Sequence, residues 1–157
     1  VASIVASPFA PEWVLSIKET GGVWVVDYSA TDSPGIKVMG AECFLPDGGW
    51  DCPSSRFLVA ANARNKIAEI LFLEKNLGAL IDSCGIKPHP GRGGNWVDPE
   101  FGPFWASRFV CEGVVSRISN DPEKPWDFAW KDLLKRNALS SSDLYIKTLP
   151  NSKWVWL

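Results

Sequence analysis

Apolar residues recur along this chain in two rhythms. The first has period two and marks residues 13–18 (WVLSIK) and 23–28 (VWVVDY), where β-branched and aromatic residues dominate. Glu19-Thr20-Gly21-Gly22 between them has turn composition, so the pair predicts a hairpin. Thr31-Asp32-Ser33-Pro34-Gly35 is a second turn, residues 36–45 a third strand, and Pro46-Asp47-Gly48-Gly49 a third turn. The three strands form a meander. Residues 1–12, punctuated by Pro8 and Pro11, read as an extended lead-in.

The second rhythm runs through residues 54–84. Phe57, Ala60, Ala61, Ile67, Ala68, Ile70, Leu71, Leu77, Leu80 and Ile81 recur at three- and four-residue steps, with Arg64, Lys66, Glu69, Glu74 and Lys75 between them. That spacing predicts a long amphipathic helix, capped by Ser54 or Ser55, weakened at Asn76-Leu77-Gly78 and stopped by Gly85. A shorter helix is expected over residues 126–138, with Trp126, Ala129, Trp130, Leu133 and Leu134 on one face. Residues 108–119 read as a strand, and residues 144–149 and 153–157 as a terminal hairpin around Pro150-Asn151-Ser152. The fold class expected from the pattern is α+β, in a single domain spanning residues 1–157. An antiparallel sheet (N-terminal meander plus C-terminal hairpin) packs against one long and one shorter helix.

Composition changes this picture little. With 157 residues, 46% hydrophobic and 22% charged, the chain can bury one sizeable core. Nine tryptophans are many for that size, and they divide between a core role and an exposed patch. The net charge is −2 and the basic residues are scattered, so nucleic acid is not an expected partner. No run approaches the roughly 18 apolar residues of a transmembrane helix, so no transmembrane segment is expected. The chain begins at Val1 without a methionine, which reads as a processed or trimmed terminus.

Cys43, Cys52, Cys84 and Cys111 are even in number and lack CxxC spacing, which favours two disulfides over a metal site. Three connectivities are open. Cys43–Cys52 with Cys84–Cys111 would close two Gly/Pro-rich loops, and four reduced thiols are the alternative. Oxidised cysteines place the chain in a secreted, periplasmic or cell-envelope setting.

Residues 85–106 are the least regular stretch and hold the candidate chemistry. His89, the only histidine, lies between Pro88 and Pro90. Gly91-Arg92-Gly93-Gly94-Asn95 has the composition of a backbone nest for an anion, with Arg92 pairing to it, or of a plain flexible turn. Arg92, Trp96, Phe101, Phe104 and Trp105 make this the best binding surface in the chain, set against the alternative that the rings fold back over the sheet. Asp47 with Asp51, or Asp98 with Glu100, could form an acid–base pair, but acidic residues in turns more often shape the turn. No GxSxG elbow is present.

Pro11-Glu12-Trp13-Val14, then a strand, then AANARNKIAEIL resembles the small domain of bacterial outer-membrane lipoproteins and flagellar-assembly proteins. The resemblance covers at most residues 11–75 and implies a helix packed on a sheet in an envelope protein; the insertion at 36–52 departs from it. The reading is a non-enzymatic subunit of a larger assembly, homo- or hetero-oligomeric, that binds protein partners through its aromatic loop. It uses no cofactor and no metal. The alternatives are a glycan-binding protein, or a small hydrolase using His89.

Overall fold

The structure is a computed structural model that describes residues 1–51, 55–83, 87–88, 91–99, 102–109, 112–119, 132–137, 146–149 and 154–156. Strands β1 (Ser3–Ala6), β2 (Glu12–Ile17), β3 (Gly22–Asp27) and β4 (Gly35–Gly40) pair antiparallel in chain order. The same up-and-down order recurs in β5 (Gly48–Trp50), β6 (Arg56–Ala61), β7 (Lys66–Leu71) and β8 (Asn76–Asp82). It recurs again in β9 (Gly94–Asp98), β10 (Gly102–Phe109), β11 (Glu112–Ser119) and β12 (Asp132–Asn137). Strands β13 (Lys147–Thr148) and β14 (Val155–Trp156) add a hairpin. Strand β1 lies against β5, β4 against β8, and β13 against β9. Successive four-stranded meanders whose first strands meet in this way are the blades of a β-propeller-like fold.

The expected α+β class is therefore wrong. Among the described residues there is no α-helix, and none long and apolar enough to cross a membrane. The stretch expected as one long helix is β6, a 3₁₀ turn at Asn62–Arg64, β7 and β8. Strand β12 falls within the second expected helix, whose residues 126–131 and 138 lie outside those described. With the helix gone, the likeness to a helix-on-sheet envelope domain falls too. Most of the described residues of the expected loop at 85–106 are strand as well, in β9 and the first part of β10.

Burial on both faces explains the false helical period. One face of β6 and β7 sends Phe57, Val59, Ala61, Ala68 and Ile70 into a core with Val5, Val14, Val23, Val25 and Met39 of the first sheet. The other face sends Leu58 and Ile67, with Ile81 of β8, against Trp105 and Ile118 of the third. A strand covered on both sides is apolar at consecutive positions, and such a run meets a three-or-four spacing rule by chance. Two left-handed turn residues, Asn65 (φ 53°) and Lys75 (φ 54°), reverse the chain on either side of β7. Neither is a glycine: Asn65 is a residue type that tolerates this backbone, and Lys75 is not.

The far side of the first sheet is apolar too. Ile4, Leu15, Trp24 and Val38 lie in register across β1–β4, beside Ala6, Trp13, Val26 and Ile36. Trp13 is 45% exposed there, and Trp154 and Trp156 are 72% and 59% exposed on the terminal hairpin. The tryptophan excess thus serves both roles, since Trp105 is wholly buried.

Candidate functional site

The inner strands of the blades converge on one cleft of about 280 Å³. Val5 of β1, Gly49 and Trp50 of β5, Arg92 and Gly93 ahead of β9, Asn95 of β9, and Lys147 and Thr148 of β13 line it.

The walls are held by contacts within and between the blades. The Trp50 indole N–H donates to the Ala6 carbonyl at 2.9 Å, and its ring stands edge-on to Phe72 with centroids 4.7 Å apart. Asn95 Nδ2 donates to the Trp50 carbonyl at 2.7 Å, and the Asn95 backbone N–H donates to Thr148 Oγ1 at 3.2 Å. Asn95 therefore ties the second, third and fourth units together at the centre. Trp105 Nε1 donates to the Arg92 carbonyl at 3.3 Å, which fixes the backbone that presents the Arg92 side chain. Gly93 is required here: its φ is +68°, and a Cβ on it would lie 2.5 Å from the Trp105 ring.

The chemistry of the lining is cationic, with one open acceptor. Arg92 and Lys147 are exposed cations. Since a carbonyl must be met by Nδ2, the Asn95 amide orientation is settled by Trp50, and Oδ1 is left buried with no hydrogen-bond partner. The cleft can hold a flat anionic molecule against Trp50, pair its negative groups with Arg92 and Lys147, and accept one hydrogen bond at Asn95.

Among the described residues, the strongly shifted group lies outside the cleft. Glu69 on β7 is 1% exposed, with Oε1 2.9 Å from Arg56 Nε. Asp51 is also buried, and its Oδ2 lies 3.9 Å from Arg56 Nη1. Burial pushes Glu69 up to about 7; Arg56 pulls it down and the second carboxylate adds to the rise.

The expected site residues are distributed as follows. Arg92 lines the cleft and is exposed, and Trp96 is half-buried with its ring centroid 6.2 Å from that of Phe104. Phe104 and Trp105 are wholly buried between sheets. Phe101 and His89 lie outside the described residues. Cys43 is an exposed free thiol, which lends the expected disulfides no support; Cys52, Cys84 and Cys111 lie outside the described residues. Asp47 and Asp51 both act as turn formers, accepting from the backbone N–H groups of Gly48 and Arg56. Among the described residues no cluster of His, Cys, Asp and Glu could hold a metal ion. Asn95 was legible only as the end of the Gly91–Asn95 nest, and Trp50, Lys147 and Thr148 were not legible as site residues, because only the strand order brings them together.

A family model, the cytochrome D1 heme domain, matches residues 1–157. The chain is 45% identical over 163 residues to a nitrite reductase of Stutzerimonas stutzeri, covering 99% of this chain and 29% of that protein. Among solved structures it is similar to a dihydro-heme d1 dehydrogenase, NirN, in complex with DHE. There the TM-score is 0.78 at 18% identity, over 98% of this chain and 31% of that one. It is also similar to a hydrazine synthase of Kuenenia stuttgartiensis, with a TM-score of 0.70 at 12% identity, over 97% of this chain and 40% of that one. At these identities the two structures speak for the fold alone. The chain spans under a third of the nitrite reductase it matches. The full-length family match and the 45% identity overturn the expectation of a non-enzymatic structural subunit.

Proposed function

Because the chain belongs to the cytochrome D1 heme domain family, we propose that it contributes the cofactor-binding wall of a heme enzyme that acts on nitrite. The observation that carries this reading is the cleft where the inner strands meet, with two cations and an unpartnered amide oxygen on its lining.

The residues fit such a group. A heme carries carboxylate side chains on a flat apolar ring, and Arg92 and Lys147 are the cations that pair with carboxylates. Trp50 offers an aromatic wall, and Gly49 and Gly93 keep the backbone close without side chains in the way. The cleft, about 280 Å³, takes an edge of a tetrapyrrole rather than the whole. When bound, the heme supplies a redox-active iron at which a nitrogen oxyanion can be reduced. The chain's part is to orient the ring through its carboxylates and exclude water on the Trp50 side, with Asn95 Nδ2 holding the Trp50 backbone in place. His89, three residues before Arg92 and outside the described residues, is the chain's only imidazole. An envelope or periplasmic setting, protein partners and oligomeric assembly remain part of the proposal.

The test is an absorbance titration of the chain with an iron tetrapyrrole bearing free carboxylates, beside the same ring as its methyl ester. The free acid is expected to bind at least tenfold more tightly. Equal affinity for the two would remove the cationic rim from the account.

A further inference from the structure

A second cleft of about 270 Å³ opens where the loop between β4 and β5 meets the 3₁₀ turn between β6 and β7. Phe44, Asn62, Ala63 and Lys87 line it, and none of these belongs to the inner-strand cleft.

Three independent features mark this place. Phe44 holds a left-handed backbone at φ 66°, which a bulky side chain rarely adopts without support. The support is visible: its N–H donates to the Lys18 carbonyl at 2.9 Å, and its carbonyl accepts from Asn62 N–H at 3.2 Å. The Lys18 ammonium caps the ring at 4.3 Å from the centroid. Asn62 is only 8% exposed, and its Oδ1 is buried with no hydrogen-bond partner. A buried acceptor without a donor costs roughly 1–3 kcal/mol unless something supplies one. Lys87 makes no ion pair with another described residue, whereas Arg64 nearby is taken by Glu42 at 3.5 Å.

We propose that this cleft binds a small carboxylate carrying an adjacent hydrogen-bond donor, of which an α-hydroxy acid is the simplest. Its carboxylate pairs with Lys87, its hydroxyl donates to Asn62 Oδ1, and its carbon skeleton lies against the Phe44 ring. Size agrees: water takes about 30 Å³ in the liquid, so the cleft admits a molecule of several heavy atoms. A cation beside an unsatisfied acceptor selects for both groups in one ligand, because an analogue lacking the donor leaves Asn62 unpaired. The inference stands apart from the heme reading, since the two clefts share no residue.

The experiment is an NMR titration of the ¹⁵N-labelled full chain with glycolate, acetate and glycolamide. Glycolate is expected to shift the Phe44, Asn62 and Ala63 amide signals saturably. Acetate, which lacks the hydroxyl, and glycolamide, which lacks the charge, should each bind about tenfold more weakly, a factor equal to one missing polar contact. Lys87→Ala should weaken glycolate about tenfold and Lys87→Arg should retain most of the affinity. Asn62→Ala should erase the preference for glycolate over acetate. Equal affinities for the three probes, or no saturable shift at these amides, would overturn the proposal and leave ordered water as Asn62's partner. Lys87 is exposed, so its variants keep the test decisive even where Asn62→Ala fails to fold.

Discussion

A Cβ placed on Gly49 would sit 1.8 Å from the carbonyl oxygen of Arg92. The two residues belong to successive blades and are 43 positions apart, yet their backbones are in van der Waals contact at the cleft. The other near atoms are also Arg92 backbone, its carbonyl carbon at 2.6 Å and its Cα at 2.9 Å. Nothing there can swing aside.

Gly49→Ala should therefore force the inner strands apart. The expected loss is roughly 3 kcal/mol or more, at the upper end of overpacking costs, read as a lower midpoint in urea. Gly40→Ala is the comparison, because a Cβ at Gly40 meets nothing within 4 Å. It should change stability by no more than about 0.5 kcal/mol.

Asn95→Ala should loosen the same junction by a different route. It deletes the 2.7 Å bond to the Trp50 carbonyl and leaves that carbonyl unsatisfied. A cost of roughly 1–3 kcal/mol follows. Amide exchange should quicken in β5 and β9, the strands that the bond joins, before it quickens in β2 or β3.

Glu69 gives stability a pH dependence of defined sign. Its carboxyl titrates near the ordinary 4.5 in the unfolded chain and at about 7 in the folded one. Between those values the folded state holds a proton that the unfolded state has lost, so stability falls as pH rises through that window. The fall attributable to this group is on the order of 2–3 kcal/mol and is complete above pH 7. Glu69→Gln should remove it: variant and wild type should match near pH 4.5, and the variant should be the more stable at pH 8. Parallel pH profiles would show that Arg56 keeps Glu69 ionised throughout.

Much of the strand structure was legible, and its arrangement was not. Alternation placed strands at 13–18, 23–28 and near 36–45, where β2, β3 and most of β4 lie. It worked there because this sheet has turns rich in glycine or proline. It failed at Phe57-Leu58-Val59-Ala60-Ala61, where both faces are buried and no alternation survives. It failed again at Asn65 and Lys75, whose left-handed turns carry no glycine. Of the site, Arg92 was visible because it stands among glycines, and its neighbours Lys147 and Thr148 were not, because over 50 residues separate them in sequence. Phe104 and Trp105 drew notice as exposed anchors, yet their alternating neighbours Gly102 and Pro103 mark the start of a strand buried by the second sheet. A whole-chain count of turn signals every eight to twelve residues would have pointed to the all-β architecture.

The central claim is that Arg92 and Lys147 make the inner-strand cleft a seat for an anionic tetrapyrrole. The most direct measurement is the affinity of the full chain for an iron tetrapyrrole with free carboxylates, followed by its absorbance band. Arg92→Ala and Lys147→Ala are compared with Lys37→Ala, an exposed cation on β4 outside the cleft. The account predicts a loss of roughly tenfold for each cleft variant, more for the pair together, and none for Lys37→Ala. Equal affinity for the unaltered chain and every variant would contradict it.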